Sequence, residues 1–446
     1  MSETTPALPS FAEAFRVWLR IGLLSFGGPA GQIALLHREV VEERRWVSDA
    51  RFLHALNFCT LLPGPEAQQL ATYLGWLLHG VRGGVAAGVL FVLPGMVVML
   101  GLSILYATLG TVPLVAALFF GLQCAVLVLV LEALIRVARR ALRTAAAWAV
   151  AVAAFVALQA FAIPFPVVVL AAALIGAALP GAFRVGAHGQ AAEGPPALLD
   201  AVLAADPGRP ARQAVQAWRA GWVAVGLWLL PVVALLLIER GVFADIALFF
   251  SKMAVVTVGG AYAVLAYVAQ QAVGGYGWLT PEQMLVGLGL AETTPGPLIL
   301  VLQFVGFLAG YGQGGLVGGV LASLLTVWVI FAPCFAFIFL GAPYVERLHS
   351  HRVLTSALAA VTAAVVGVIA NLALWFGMRV LFAETQRVTA GPLALDLPVP
   401  ASLDPLALLL AAIAAACLFL FRLGLLWTLA VTAALGLVAR LVPGMW

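Results

Sequence analysis

Leu61-Leu62-Pro63-Gly64-Pro65-Glu66-Ala67-Gln68-Gln69 returns 232 residues later as Thr293-Thr294-Pro295-Gly296-Pro297-Leu298-Ile299-Leu300-Val301, each copy inside an apolar stretch. The same offset maps Gly27-Gly28 onto Gly259-Gly260 and Trp46 onto Trp278 without a gap. Three landmarks held in register mark an internal duplication. Proline lacks a backbone donor and pushes the residue before it out of helical space, so each Pro-Gly-Pro interrupts a helix. Interrupted apolar segments at matching places in two halves are the sequence pointer to a transporter's binding site.

The rest of the chain fits that reading. Of 446 residues, 64% are hydrophobic and 9% charged, with a mean hydropathy of +1.09. A soluble domain carries roughly a quarter of its residues charged. Apolar runs of spanning length recur from Phe11 onward, with no period-two alternation, so the expected fold is all-α: a polytopic integral membrane protein. Met1–Ser10 has no small-residue cleavage site, and the first helix is expected to direct insertion itself. Cys59, Cys124, Cys334 and Cys417 lie scattered in apolar runs without CxxC spacing and read as buried free thiols. No metal and no cofactor is expected. The net charge of +4 comes from arginines between the spans, which suits membrane topology and not nucleic-acid binding. The lipid bilayer is the expected partner surface, and association into a homo-oligomer is compatible with the sequence.

Residues 12–181 form the first repeat, with helices at about 12–36, 50–79, 84–108, 112–135, 144–161 and 164–181. A polar linker, 182–217, separates it from an unmatched span at 218–239. The second repeat, 240–442, follows with helices at about 243–270, 282–310, 314–341, 353–380, 404–422 and 424–442. An odd span between halves that each cross an even number of times inverts the second half. With a cytoplasmic N-terminus, Arg136, Arg139, Arg140, Arg143, Arg347 and Arg352 then fall inside, but Arg38, Arg44, Arg45 and Arg51 fall outside. If the Pro-Gly-Pro elements are re-entrant, those four move inside and the halves become parallel. Charge alone leaves both arrangements open.

Pro63 ends one half-helix, Gly64 permits the bend, and Pro65 starts the next at a position that favours proline. The new first turn has amides without internal partners, near Glu66, Ala67 and Gln68, and again near Leu298, Ile299 and Leu300 after Pro295-Gly296-Pro297. Such a terminus accepts an oxyanion. Gly27-Gly28 and Gly259-Gly260 mark close packing or a second interruption. Trp46 and Trp278 suit the membrane interface, with Ser48 and Thr280 as helix caps and Gln283 completing a capping box.

Helix ends supply only about 0.3–1 kcal/mol each, up to about 2 when buried, so a dianion needs further help. Arg20 and Lys252 share the offset, each seven residues before its glycine pair, and Lys252 is the only lysine in the chain. A charge inside an apolar run is functional by default. Glu66 and Glu292 flank the two motifs as candidate proton-coupling carboxylates. Gln68, Gln69, Asn57, Thr293 and Thr294 are candidate donors to substrate oxygens. No GxxxxGK[ST] sequence supports ATP-driven pumping, and His37, His54, His79, His188, His349 and His351 form no HExxH or triad pattern, which argues against an enzyme.

Ser25-Phe26-Gly27-Gly28-Pro29, the acidic-basic stretch to Arg44-Arg45-Trp46, and Leu61-Leu62-Pro63-Gly64-Pro65 with Gln68-Gln69 resemble the chromate ion transporter family. The similarity covers roughly 12–135 and 243–340. It implies movement of chromate across the bacterial cytoplasmic membrane, in most members outward as a resistance device, with sulfate as a structural mimic. It also implies homologous halves facing opposite ways and about thirteen spans. The second repeat departs from the first where Pro29, Glu66 and Gln69 become Ala261, Leu298 and Val301.

Overall fold

The computed structural model describes residues 8–183, 197–206, 208–238, 241–257, 261–342, 352–390 and 393–441. Among these, five helical segments are long and apolar enough to cross a membrane, and four shorter apolar ones accompany them. The fold is all-α and polytopic apart from one small β-hairpin.

The first repeat opens with α1 (Phe11–Leu24), which stops at Ser25, and α2 (Gly28–His37), extended by a π-turn over Arg38–Glu43. Gly27 and Gly28 take positive φ of 85° and 71°, a conformation open to glycine, so the chain doubles back there. Trp18 and Trp46 consequently meet with ring centroids 6.5 Å apart. Next come α3 (Asp49–Cys59) and α4 (Glu66–Leu109). The rings of Phe58 and Tyr73 lie 5.4 Å apart, whereas a continuous helix would separate these residues by about 22 Å. Thus 12–36, read as a single helix, is a hairpin, and the broken segment 50–79 takes the folded-back form that the sequence left open. An arm of 11 residues reaches about 16 Å, roughly half the hydrocarbon core of about 30 Å.

At His79-Gly80 helix α4 folds on itself, with Gly80 at φ 62° and ψ −154°. Its arms touch so closely that a Cβ on Gly75 would lie 2.4 Å from the Gly83 carbonyl oxygen. The second arm crosses the membrane, and α5 (Pro113–Ala141), α6 (Ala145–Phe161) and α7 (Phe165–Ala178) complete the repeat.

The linker is not wholly irregular, as its polarity suggests. It contains α8 (Leu198–Ala205), whose fully buried Leu199 donates its amide to the Trp46 carbonyl while Asp200 pairs with Arg51 at 2.9 Å. The unmatched span starts earlier than residue 218, as α9 (Arg209–Ile238). Arg209 donates to the Leu78 carbonyl at 2.7 Å, and Trp328 donates to the Leu227 carbonyl further along. Helix α9 therefore runs from the Leu78 end to the opposite end.

The second repeat starts from that opposite end with α10 (Val242–Val256), α11 (Ala261–Ala269) with a π-turn over Gln270–Gly275, α12 (Pro281–Thr293), a 3-10 turn at Leu298–Leu300, and α13 (Val301–Gly341). Its details repeat the first half: Phe250 packs on Trp278 at 5.9 Å as Trp18 does on Trp46, and Trp278 donates to Ala272 as Trp46 does to Val40. The expected crossings at 243–270 and 282–310 are re-entrant too. Helix α13 folds back at Gly314-Gly315, where Gly315 has φ 56° and ψ −148°, nearly the values at Gly80. Helix α14 (Arg352–Leu381), the antiparallel hairpin β1 (Thr385–Ala390) and β2 (Leu393–Pro398), α15 (Pro405–Ala415) and α16 (Leu425–Leu441) close the fold.

Four helical arms follow the two hairpins in each repeat, so where all four cross the membrane the parity of crossings is unchanged and re-entrance is consistent with opposed halves. Arg38, Arg44, Arg45 and Arg51 then share one end with Arg82, Arg139, Arg140, Arg143, Arg212 and Arg422, while Arg379 and Arg387 lie at the other. The positive-inside rule puts the Arg-rich end in the cytoplasm. All four cysteines are free and buried, so single new cysteines report sidedness cleanly. Exposed Arg82→Cys should react with an impermeant maleimide only from inside and exposed Gln313→Cys only from outside; labelling of both from one side would refute the opposed arrangement.

Candidate functional site

The re-entrant tips of the two repeats meet each other in two crossed pairs. Ser25 ends α1 and Thr257, its counterpart at the 232 offset, ends α10; their hydroxyls bond back to Ile21 and Met253. Their carbonyls thus remain for the other repeat. The Gly64 amide donates to the Thr257 carbonyl at 2.8 Å, and the Gly296 amide donates to the Ser25 carbonyl at 2.8 Å. Each Pro-Gly-Pro corner is bonded to the residue that ends the opening helix of the opposite repeat.

Gln32, almost wholly buried, reinforces this exchange by donating from Nε2 to the Gly296 carbonyl at 2.6 Å. Gly64 and Pro295, Gly296 and Pro297 are buried, and Pro63 and Pro65 partly so. A crossing helix of each repeat leans on the other's corner. A Cβ at Gly95 would sit 2.1 Å from the Pro295 carbonyl oxygen, and one at Gly64 would meet Cys334 Sγ at 3.0 Å.

Three helix starts at these corners have no side-chain cap: α2 behind Gly27, the first arm of α4 behind Pro65, and the 3-10 turn behind Pro297. Gly259 and Gly260 lie outside the described residues. Uncapped amides with the positive end of the helix dipole form an anion-seeking surface. Gln68 and Gln69 are fully buried beside them. Gln69 Nε2 donates to the Pro63 carbonyl at 2.6 Å and Gln68 Nε2 to Thr72 Oγ1 at 3.2 Å, yet neither Oε1 has a partner among the described residues. Two orphaned buried amide oxygens mark a place where a further hydrogen-bonding group is called for.

Other predicted residues fall elsewhere. Arg20 pairs with the fully buried Glu39 at 3.4 Å, and Arg44 shares that carboxylate; Arg20 stands two turns from the corner on an exposed face. Lys252 is likewise exposed. Glu66 is partly buried in the first turn of α4, and Glu292 is buried in the last turn of α12. Thr293 and Thr294 bond to carbonyls of their own helix, and Asn57 is exposed. Thr280 forms the capping box with Gln283, but the Ser48 side chain makes no cap bond. Trp46 is buried against Trp18, not at the lipid interface.

Gly27, Gly31, Ala34 and Arg38 make one exposed stripe along α2 from the corner toward the cytoplasmic end. Sequence reasoning missed Ser25, Thr257, Gln32, Gly95 and Cys334. The paired hydroxyls of Ser25 and Thr257 at the 232 offset were a usable signal, whereas Gln32 faces Val264 in the repeat and gave none.

Two repeats whose folded-back hairpins exchange backbone hydrogen bonds at their tips are the arrangement in which a membrane transporter builds its site. The comparisons agree: the chromate transporter family model matches residues 12–177 and 244–437. The chain belongs to the chromate transporter family, and so is a multi-pass transport protein of the bacterial inner membrane and not an enzyme. It is 36% identical over 374 residues to the chromate transport protein of Pseudomonas aeruginosa, covering 82% of each chain. Identity to the chromate transport protein of Cupriavidus metallidurans is 26%, over 81% of each. An uncharacterized transporter of Methanocaldococcus jannaschii is 23% identical over 83% of this chain and 86% of its own. No solved structure matches the chain.

Proposed function

We propose that the chain is a secondary transporter expelling chromate across the cytoplasmic membrane, with sulfate as competitor, so that it confers chromate resistance. The observation that supports this reading is the reciprocal Gly64–Thr257 and Gly296–Ser25 exchange, which ties the uncapped helix starts of each repeat to the tips of the other. A tetrahedral dianion suits several converging N–H donors, each end contributing up to about 2 kcal/mol when buried. The stripe Gly27–Gly31–Ala34–Arg38 is its approach from inside; Arg20 acts on that passage at a distance, and Lys252 on the outward side in the second repeat, neither by contact. A potential negative inside favours leaving by about 2.3 kcal/mol per charge per 100 mV, about twice that for a dianion.

Glu66 supplies the coupling. Ionised, its carboxylate competes for the amides of its own first turn; protonated, it releases them to the oxyanion. Glu292, which precedes the second corner where Glu66 follows the first, is the other candidate carrier. Inverted vesicles should accumulate labelled chromate, respond to a pH gradient and lose uptake to excess sulfate. Glu66→Gln should flatten the pH dependence. Accumulation only in right-side-out vesicles would make the protein an importer, and an unchanged pH profile in Glu66→Gln would remove the coupling role.

A further inference from the structure

In the first repeat α5 passes into α6 through residues 142–144, but the corresponding connection of the second repeat folds into β1 and β2. This hairpin lies over a polar cavity of about 480 Å³ at the outer end, lined by Arg379, Arg387, Asp396, Gln159, Asn371 and Gln270. Arg387 and Asp396 are direct cross-strand neighbours, so the hairpin itself delivers one cation and one anion to the cavity. Arg379 comes from the last turn of α14. Asn371 donates to Gln159 Oε1 at 2.7 Å, which leaves the Gln159 NH2 uncommitted.

The cavity also follows a path. Ala266 and Gln270 line it along α11, and at the 232 offset they are Ala34 and Arg38, two members of the exposed stripe on α2. The same helix face is thus open at both ends of the molecule, toward the cytoplasm in one repeat and outward in the other. Ala266 lies five residues from Ala261, where α11 begins.

We propose that this cavity is an outer-mouth station for a tetrahedral oxyanion, held by Arg379 and Arg387 with the Gln159 amide, on its way between the outside and the corners. The station rests on the transport reading for its purpose but not for its chemistry. Asp396 leaves one net positive charge among the lining side chains, enough to attract a dianion and weak enough to release it. The other reading is an arginine at a helix C-terminus and opposite charges across a surface hairpin, neither touching solute.

Two measurements separate them. In exchange mode, with chromate offered from one face at a time, Arg379→Gln and Arg387→Gln should raise the half-saturating concentration at the outer face about tenfold. The inner-face value and the maximal rate should stay within about twofold, and Arg379→Lys should recover part of the loss. Equal changes at both faces, or none, would overturn the proposal. Independently, chromate should quench tryptophan fluorescence of the purified protein in phosphatidylcholine nanodiscs, and Trp375→Phe should remove the component from the cavity wall. The Arg379→Gln/Arg387→Gln double variant should lose that same component. Retained quenching overturns the station, as does quenching abolished by phosphatidylglycerol, which would assign the cavity to a lipid headgroup. Arginine-dependent quenching without any chromate flux would instead uphold the station and sink the transport reading.

Discussion

Gly95→Val should abolish chromate transport, lowering the initial rate in inverted vesicles at least about 100-fold at equal protein amount. The reason is steric. The new Cβ would fall 2.1 Å from the Pro295 carbonyl oxygen and 2.6 Å from Leu300 Cδ1. The first of these contacts is backbone and cannot swing aside, so the crossing arm of α4 must lift from the second corner. Overpacking of this kind costs about 3 kcal/mol, which as a rate is about two orders of magnitude. Gly101→Val is the matched control, because nothing stands within 4 Å of a Cβ there. It should transport within about twofold of the parent. A Gly95→Val protein with parental flux would show that the corner tolerates displacement, and the site would have to be sought elsewhere.

The second large effect is expected at Gln32. Gln32→Leu keeps the volume but removes the donor that reaches the Gly296 carbonyl at 2.6 Å. A buried carbonyl deprived of its partner costs about 1–3 kcal/mol, so flux should fall roughly tenfold or more. Gln32→Glu should be worse, because its charge would be buried beside the carbonyl oxygens of Ser25 and Gly296 and would repel the solute. Rates equal to the parent in both variants would show that the corner holds its geometry without this side chain.

The duplication, the broken helices and the membrane setting were legible because they are local chemistry: prolines without donors, glycine pairs, and the Thr280–Gln283 capping box. Re-entrance was not. Hydropathy measures how much apolar chain is available, and 12–36 is long enough to cross; whether it doubles back at Gly27 depends on what Ser25 meets in the other half. The contact of Gly95 and Cys334 with opposite corners was hidden too, since Pro94 and Pro333 are separated by 239 residues and not 232. Helix α8 and the β-hairpin lie in stretches whose polarity reads as loop. Leu199, docked against the Arg45–Trp46 backbone, shows one apolar side chain overriding that composition.

The crossed amide bonds make the repeats obligate complements. Neither Gly64 nor Gly296 finds its acceptor within its own half, so a chain encoding one repeat alone would have to assemble from two polypeptides threaded through the bilayer in opposite senses. Severing this protein within residues 184–196 should accordingly leave two inert fragments that regain flux only when made together.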